Sequence, residues 1–138
     1  MDIIRFPDPY LLTREFLAAS TGAPVHSALP AGYAATSGLQ VVVTDTGGAG
    51  VYDVIYEAAR ITIDVWAPTR AMASEVARTV YGLLRHWQYH DTRVYWQGTV
   101  TRPSYYPDET RVPRYTLTVT LGFRGELVTV APNVGTIS

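Results

Sequence analysis

Residues 111–125 read RVPRYTLTVTLGFRG, and the alternation inside them decides the fold class. From Tyr115 to Phe123 the large apolar side chains fall on odd positions, with Thr116, Thr118, Thr120 and Gly122 between them. A period of two puts every second side chain on the same side of a strand. One side is a core face; the other is a row of hydroxyls with an arginine at each end, Arg114 and Arg124.

The same parity recurs upstream. In EAARITIDVWA, residues 57–67, Ile61, Ile63 and Val65 share one side, and Arg60, Thr62, Asp64 and Trp66 share the other. LQVVVTDT, residues 39–46, is apolar and β-branched and reads as the first long strand. The glycine-rich stretch after it predicts an antiparallel hairpin with its tip at TDTGGAGVYD. Residues 93–101 read as a third strand, followed by a turn segment, RPSYYPDETRVP.

Two helices are predicted. Asp8 suits an N-cap and Pro9 the first helical position, so the first helix runs from Asp8 to about Ala19. The second lies in PTRAMASEVARTVYGLLRHW, residues 68–87. There Met72, Val76, Val80, Leu83 and Trp87 form a stripe that Ala73, Ala77 and Leu84 widen, opposite Arg70, Ser74, Arg78 and Arg85. Between the first helix and the first strand lies a long loop, with a short extended piece around Val25. The expectation is a single α+β domain over residues 1–138. Its order is helix, hairpin, helix, hairpin, with an antiparallel sheet of about four strands and the helices packed on one face. From about residue 126 the chain reads as a loose tail.

Composition narrows the function classes. The 138 residues are 47% hydrophobic and 17% charged, which suits a globular domain with one substantial core. Without cysteine there is no disulfide, thiol nucleophile or thiolate zinc site. All 11 basic residues are arginine, which excludes a Walker-type or Schiff-base lysine. A net charge of −1 predicts no general attraction to nucleic acid or anionic membrane. The N-terminal residues do not resemble a signal peptide and no apolar run approaches a bilayer span, so a cytosol-like compartment is expected. Ten tyrosines, three tryptophans and three phenylalanines exceed what one small core readily uses, and such residues favour contact surfaces.

Catalytic motifs are weak. His86 and His90 have metal-ligand spacing, but the helix is ending there and no third ligand beyond Asp91 is visible. TDTGGAG follows a strand yet precedes another strand, so it is no phosphate cradle. Asp108 and Glu109 sit in a proline-flanked turn, where carboxylates are ordinarily solvated. His26 is isolated, and no GxSxG elbow exists. No metal, cofactor or catalytic residue is assigned, although a small-molecule or enzymatic domain using Arg60, Asp64 or His26 stays open.

The motif series DPYLLTREFLAA, VVVTDTGG, ARITIDVWAPTRAMASEVARTVYGLL and PDETRVPRYTLTVTLGFRG, over residues 8–125, resembles tail-terminator (tail-completion) proteins of long-tailed bacteriophages, most nearly those of actinobacterial phages. The resemblance implies a non-enzymatic virion structural protein. Such proteins assemble in the host cytoplasm and sit at the neck of the virion, as a homo-oligomeric ring of typically six copies. The ring caps the tail tube, halts its polymerisation and joins it to the head. Its partners would be itself, the major tail tube protein and the head–tail connector or stopper protein, with DNA passing through the lumen without sequence-specific binding and no membrane involved. A neighbouring head–tail connector would share the order of motifs, and a non-phage adaptor module also remains open. Candidate interface residues are Gly47, Gly48, Tyr52 and Asp53 on the hairpin, Arg60, Asp64 and Trp66 on the polar strand face, and Tyr105, Tyr106, Asp108 and Arg114 around the tyrosine-rich turn. Each also has a plain structural reading: Trp66 shielding a sheet edge, Tyr105 and Tyr106 lying over the core as a lid.

Overall fold

The computed structural model describes residues 1–53, 55–106 and 112–131, with backbone alone at 35, 51–53 and 96–97. Strand β1 (Asp2–Arg5) leads into helix α1 (Pro9–Thr21), then β2 (Val25–His26), β3 (Gln40–Asp45), β4 (Gly50–Asp53) and β5 (Tyr56–Trp66). Helix α2 (Arg70–His86) follows, then β6 (Val94–Val100), β7 (Ser104–Tyr105), β8 (Arg114–Arg124) and β9 (Glu126–Thr129). Asp8 caps α1, its Oδ1 accepting from the backbone N–H groups of Tyr10 and Leu11 at 3.0 and 3.3 Å. Gly22 ends α1 at φ 70°, the left-handed geometry that glycine adopts without penalty. Thr69 Oγ1 caps α2 by accepting from Met72 N.

The expected four-stranded antiparallel arrangement is overturned. The protein is mixed α/β and mostly strand, with two α-helices among the described residues. Its seven-stranded sheet runs β2-β3-β5-β8-β6, with β4 paired to β5 and β7 paired to β8. The β2/β3 pair is parallel, and β1/β9 form a separate two-stranded antiparallel sheet. Strands of two to four residues are too short to show periodicity, and β1 and β9 lie far apart in sequence. The loose tail expected from about residue 126 is corrected over Glu126–Thr129 for the same reason, and residues 132–138 of it lie outside the described residues. Glu126–Thr129 pairs with the other end of the chain, held by the Arg5–Glu126 ion pair and a hydrogen bond from Thr129 Oγ1 to Asp2 Oδ1.

The glycine segment is likewise not a hairpin tip. β3 pairs Asp45 with Ile61 and β4 resumes at Gly50 opposite Ala58, so residues 46–49 are a bulge in one long arm. Gly48 crosses the β5 backbone so closely that a Cβ would stand 2.7 Å from Arg60 N. At φ 100° and with that neighbour, only glycine fits.

β5 and β8, 11 residues each and paired throughout, form the spine of the sheet, about 36 Å long at the usual rise. Ile61, Ile63, Val65, Leu117, Val119, Leu121 and Phe123 are fully buried beside Val41 and Val43 of β3. Each such side chain contributes about 1.5–3 kcal/mol before entropy is counted. α1 adds Leu12 and Leu17 to this core, and α2 adds Ala77, Val80 and Leu84. The buried line of α2 passes through Ala73, Ala77, Val80 and Leu84, while Met72 is 43% exposed. Alanines on this line let the helix approach the sheet closely.

Trp87 closes the core, stacked on Phe16 at 4.4 Å and edge-on to Phe123. Its Nε1 donates to Asp91 Oδ2 at 3.2 Å, and Asp91 also accepts from the Arg93 guanidinium at 3.0 and 2.8 Å. The Arg93 hydrogen bond, the largest cause, holds the Asp91 carboxyl below its ordinary range. A carboxyl depressed by folding stabilises the protein above its unfolded pKa, about 3.9, and this stabilisation disappears as the pH falls through the folded value. Asp91→Asn is therefore expected to lower stability at neutral pH and to narrow its gap from wild type in acid, as measured by urea midpoints at about pH 7 and about pH 3.

Candidate functional site

The face of the sheet opposite the helices is built from the even positions of β5 and β8. Trp66 lies opposite Arg114, Asp64 opposite Thr116, Thr62 opposite Thr118 and Arg60 opposite Thr120. β3 extends the face with Gln40, Val42 and Thr44, opposite Trp66, Asp64 and Thr62. A two-residue side-chain period forces this segregation once the odd positions are core.

One end of the face is sealed by the chain itself. Arg114 Nε and Nη2 donate to Asp64 Oδ1 at 3.0 and 2.9 Å. Its guanidinium lies 5.0 Å from the Trp66 ring centre and 4.6 Å from that of Tyr106. Tyr33 meets Trp66 edge-on at 6.0 Å and donates its hydroxyl to Gly38 O, and burial pushes that hydroxyl's pKa up. Val42, Trp66 and Val112 form a second small core with Leu29 and Tyr33. Trp66 is only 6% exposed. It belongs to the polar strand face by parity, yet it is an anchor for the 27–38 loop and is not available to a partner.

The other end is open. Thr62 and Thr118 share a hydroxyl–hydroxyl hydrogen bond of 3.2 Å. Thr62, Thr116, Thr118 and Thr120 are half-buried, and Thr44 and Arg60 are exposed. The bulge at Gly47 and Gly48 borders this area, with Gly47 O accepting from Arg60 N.

The structure thus brings Asp64, Trp66, Tyr106 and Arg114 into one cluster and leaves Arg60, Gly47 and Gly48 at the far end. Tyr105 departs from them: it lies on the helix side, beneath the Arg70 guanidinium at 4.1 Å and against Tyr115. The β4 backbone carries Tyr52 and Asp53, whose side chains, like Asp108, lie outside the described residues. Tyr33 joins the first cluster and Tyr115 the contact with Tyr105 and Arg70; neither has a sequence signal beyond the abundance of tyrosine.

A cleft of about 760 Å³ opens between the β1/β9 pair and the end of β8, lined in part by Phe6, Asp8, Leu12, Arg93, Arg124 and Glu126. Its carboxylates and most of its cations have local roles: Asp8 caps α1, Arg5 pairs with Glu126, and Arg93 pairs with Asp91. Among the described residues no three His, Asp or Glu side chains converge as metal ligands. The chain matches no protein-family model and no curated protein.

Proposed function

We propose that the chain is a structural protein of the virion of a long-tailed bacteriophage, a tail terminator acting by assembly rather than catalysis. In this reading, copies of it close into a ring, six to a turn, on the end of the tail tube. The ring stops polymerisation of the tube protein and seats the head–tail connector, and DNA passes through its lumen without being read. The protein is assembled in the host cytoplasm and resides at the top of the tail.

The observation that carries this reading is the threonine-lined half of the outer face. It is hydroxyl-rich and partly exposed, on a sheet whose opposite side holds both described α-helices. A rigid β surface of that kind supports docking with little loss of side-chain entropy, because threonine has few rotamers to lose. The ordered motif series over residues 8–125 supports the identity of the partners.

Multi-angle light scattering over a range of concentrations, with and without tube protein, tests it. The expected result is a species of six chain masses, seen as rings in negative stain, that forms alone or on tube ends and arrests tube growth. A strict monomer at every concentration, unchanged by tube protein, overturns it.

A further inference from the structure

Two patches of opposite charge lie on the helix-bearing side of the sheet, and among the described residues neither forms an ion pair. The first is on α2. Arg70, Arg78 and Arg85 recur about every two turns and are exposed. Arg102 approaches from the β6–β7 connection, and a groove of about 400 Å³ forms between them, lined by Ser74, Arg78, Tyr81, Arg102, Pro103 and Tyr115. Arg70 Nε donates to the Tyr115 hydroxyl at 3.3 Å, and the Arg85 guanidinium lies 5.6 Å from the Tyr81 ring centre. Among the described residues no carboxylate lines the groove and none of these four arginines forms an ion pair. The hydrogen bond from Arg70, then Ser74 and the charges of Arg70 and Arg78, pull the Tyr115 hydroxyl toward its ionised form.

The second patch is on β3 and β5. Asp45 lies opposite Ile61 and Glu57 opposite Phe123, so both carboxylates are on the helix-bearing side of the sheet. Asp45 is exposed and Glu57 half-buried. Burial first, and then the charge of Asp45, push the Glu57 carboxyl up. The sheet order puts β3 and β4 on one side of β5, and β6 and β7 on the far side of β8. Each patch repels itself and attracts the other, while β8 lies between the strands of the acidic patch and the connection that carries Arg102.

We propose that these patches meet between copies: the Asp45–Glu57 margin of one subunit docks into the arginine groove of the next. Arginine forks bind carboxylates in two-pronged fashion, and a contact between two different patches repeats head to tail until it closes a ring. The partner is a second copy of this chain, since its own surface supplies the complementary charge and its net charge of −1 gives no general affinity for polyanions. This rests on the ring reading above and names the contact that forms it.

Charge reversal tests it. Arg78→Glu with Arg102→Glu reverses the groove, and Asp45→Arg with Glu57→Arg reverses the acidic margin. Each double variant, folded by circular dichroism, is expected to self-associate roughly 100-fold more weakly than wild type, whose association weakens with salt. Mixing the two double variants restores association, because each then supplies the charge the other needs. The chain carrying all four reversals recovers it as well. Rings that are indifferent to salt and to reversal overturn this inference and leave the ring reading standing. Failure of both the mixture and the fourfold variant to recover also overturns it. Wild type that never associates, with or without tube protein, overturns the ring reading and this inference with it. Binding of labelled duplex DNA that is lost in the groove variant while self-association is unchanged reassigns the groove to nucleic acid.

Discussion

Replacing Val119 by aspartate is expected to abolish the folded state. Val119 is fully buried at the centre of β8, opposite Ile61 on one neighbour and Val100 on the other. The buried cluster around it is built from Leu, Ile, Val, Ala, Phe and Trp side chains. An unpaired carboxylate there must either stay ionised in an apolar site or take up a proton at neutral pH, and either costs several kcal/mol. A domain of this size has about 5–15 kcal/mol of total stability, so little or none is left. Far-ultraviolet circular dichroism with urea titration checks this: the variant shows no cooperative transition. Thr120→Asp, one residue along and on the opposite face, keeps its transition. A cooperative melt in Val119→Asp close to that of wild type would mean that the parity of β8 is assigned backwards.

Trp66→Ala is expected to destabilise by about 3–5 kcal/mol, the usual result of emptying a buried indole site. Parity alone puts Trp66 on the polar side of β5, and from that the natural expectation is a folded variant with weakened assembly. The structure alters the expectation, because Tyr33, Val42 and Val112 enclose the ring and the Arg114 guanidinium lies over it. Removing it also leaves the Asp64–Arg114 pair more open to water. The melting temperature should fall by about 10 °C or more, given the entropy of unfolding of a domain this size. Trp66→Phe retains a ring for Tyr33 and should lose less. A melt unchanged in Trp66→Ala would show that the 27–38 loop does not depend on this anchor.

These two substitutions lie on strands that were legible in the sequence, and they separate what parity can and cannot tell. For Val119 the period of two suffices: a fully apolar odd row opposite a hydroxyl row has only one arrangement in water. For Trp66 it assigns the side of the sheet but not what lies above that side. The residues that cover it, Leu29 and Tyr33 before β3 and Val112 before β8, lie in irregular chain whose path follows no period. The α2 stripe behaves similarly. Spacing located the helix and its general apolar side, while the small alanines, rather than Met72, turned out to face the sheet because they allow the closest approach. The candidate residues divide on the same line: Asp64, Trp66, Tyr106 and Arg114 converge, whereas Tyr105 is turned to the helix side by its register opposite Tyr115.

From residue order alone came the two helices, the first with its Asp8 cap, the long strands β3, β5, β6 and β8, and the segregation of β5 and β8 into an apolar and a hydroxyl face. Such features depend on neighbours a few positions apart, and their physics is local. Tertiary structure alone decided that the glycines form a bulge, that two chain ends pair as β1 and β9, that loop and strand bury Trp66, and that Arg102 and Tyr115 join the arginines of α2. Each of those depends on groups brought together across tens of residues, where hydrogen-bond partners and charges are selected by the folded shape and leave no pattern in the chain.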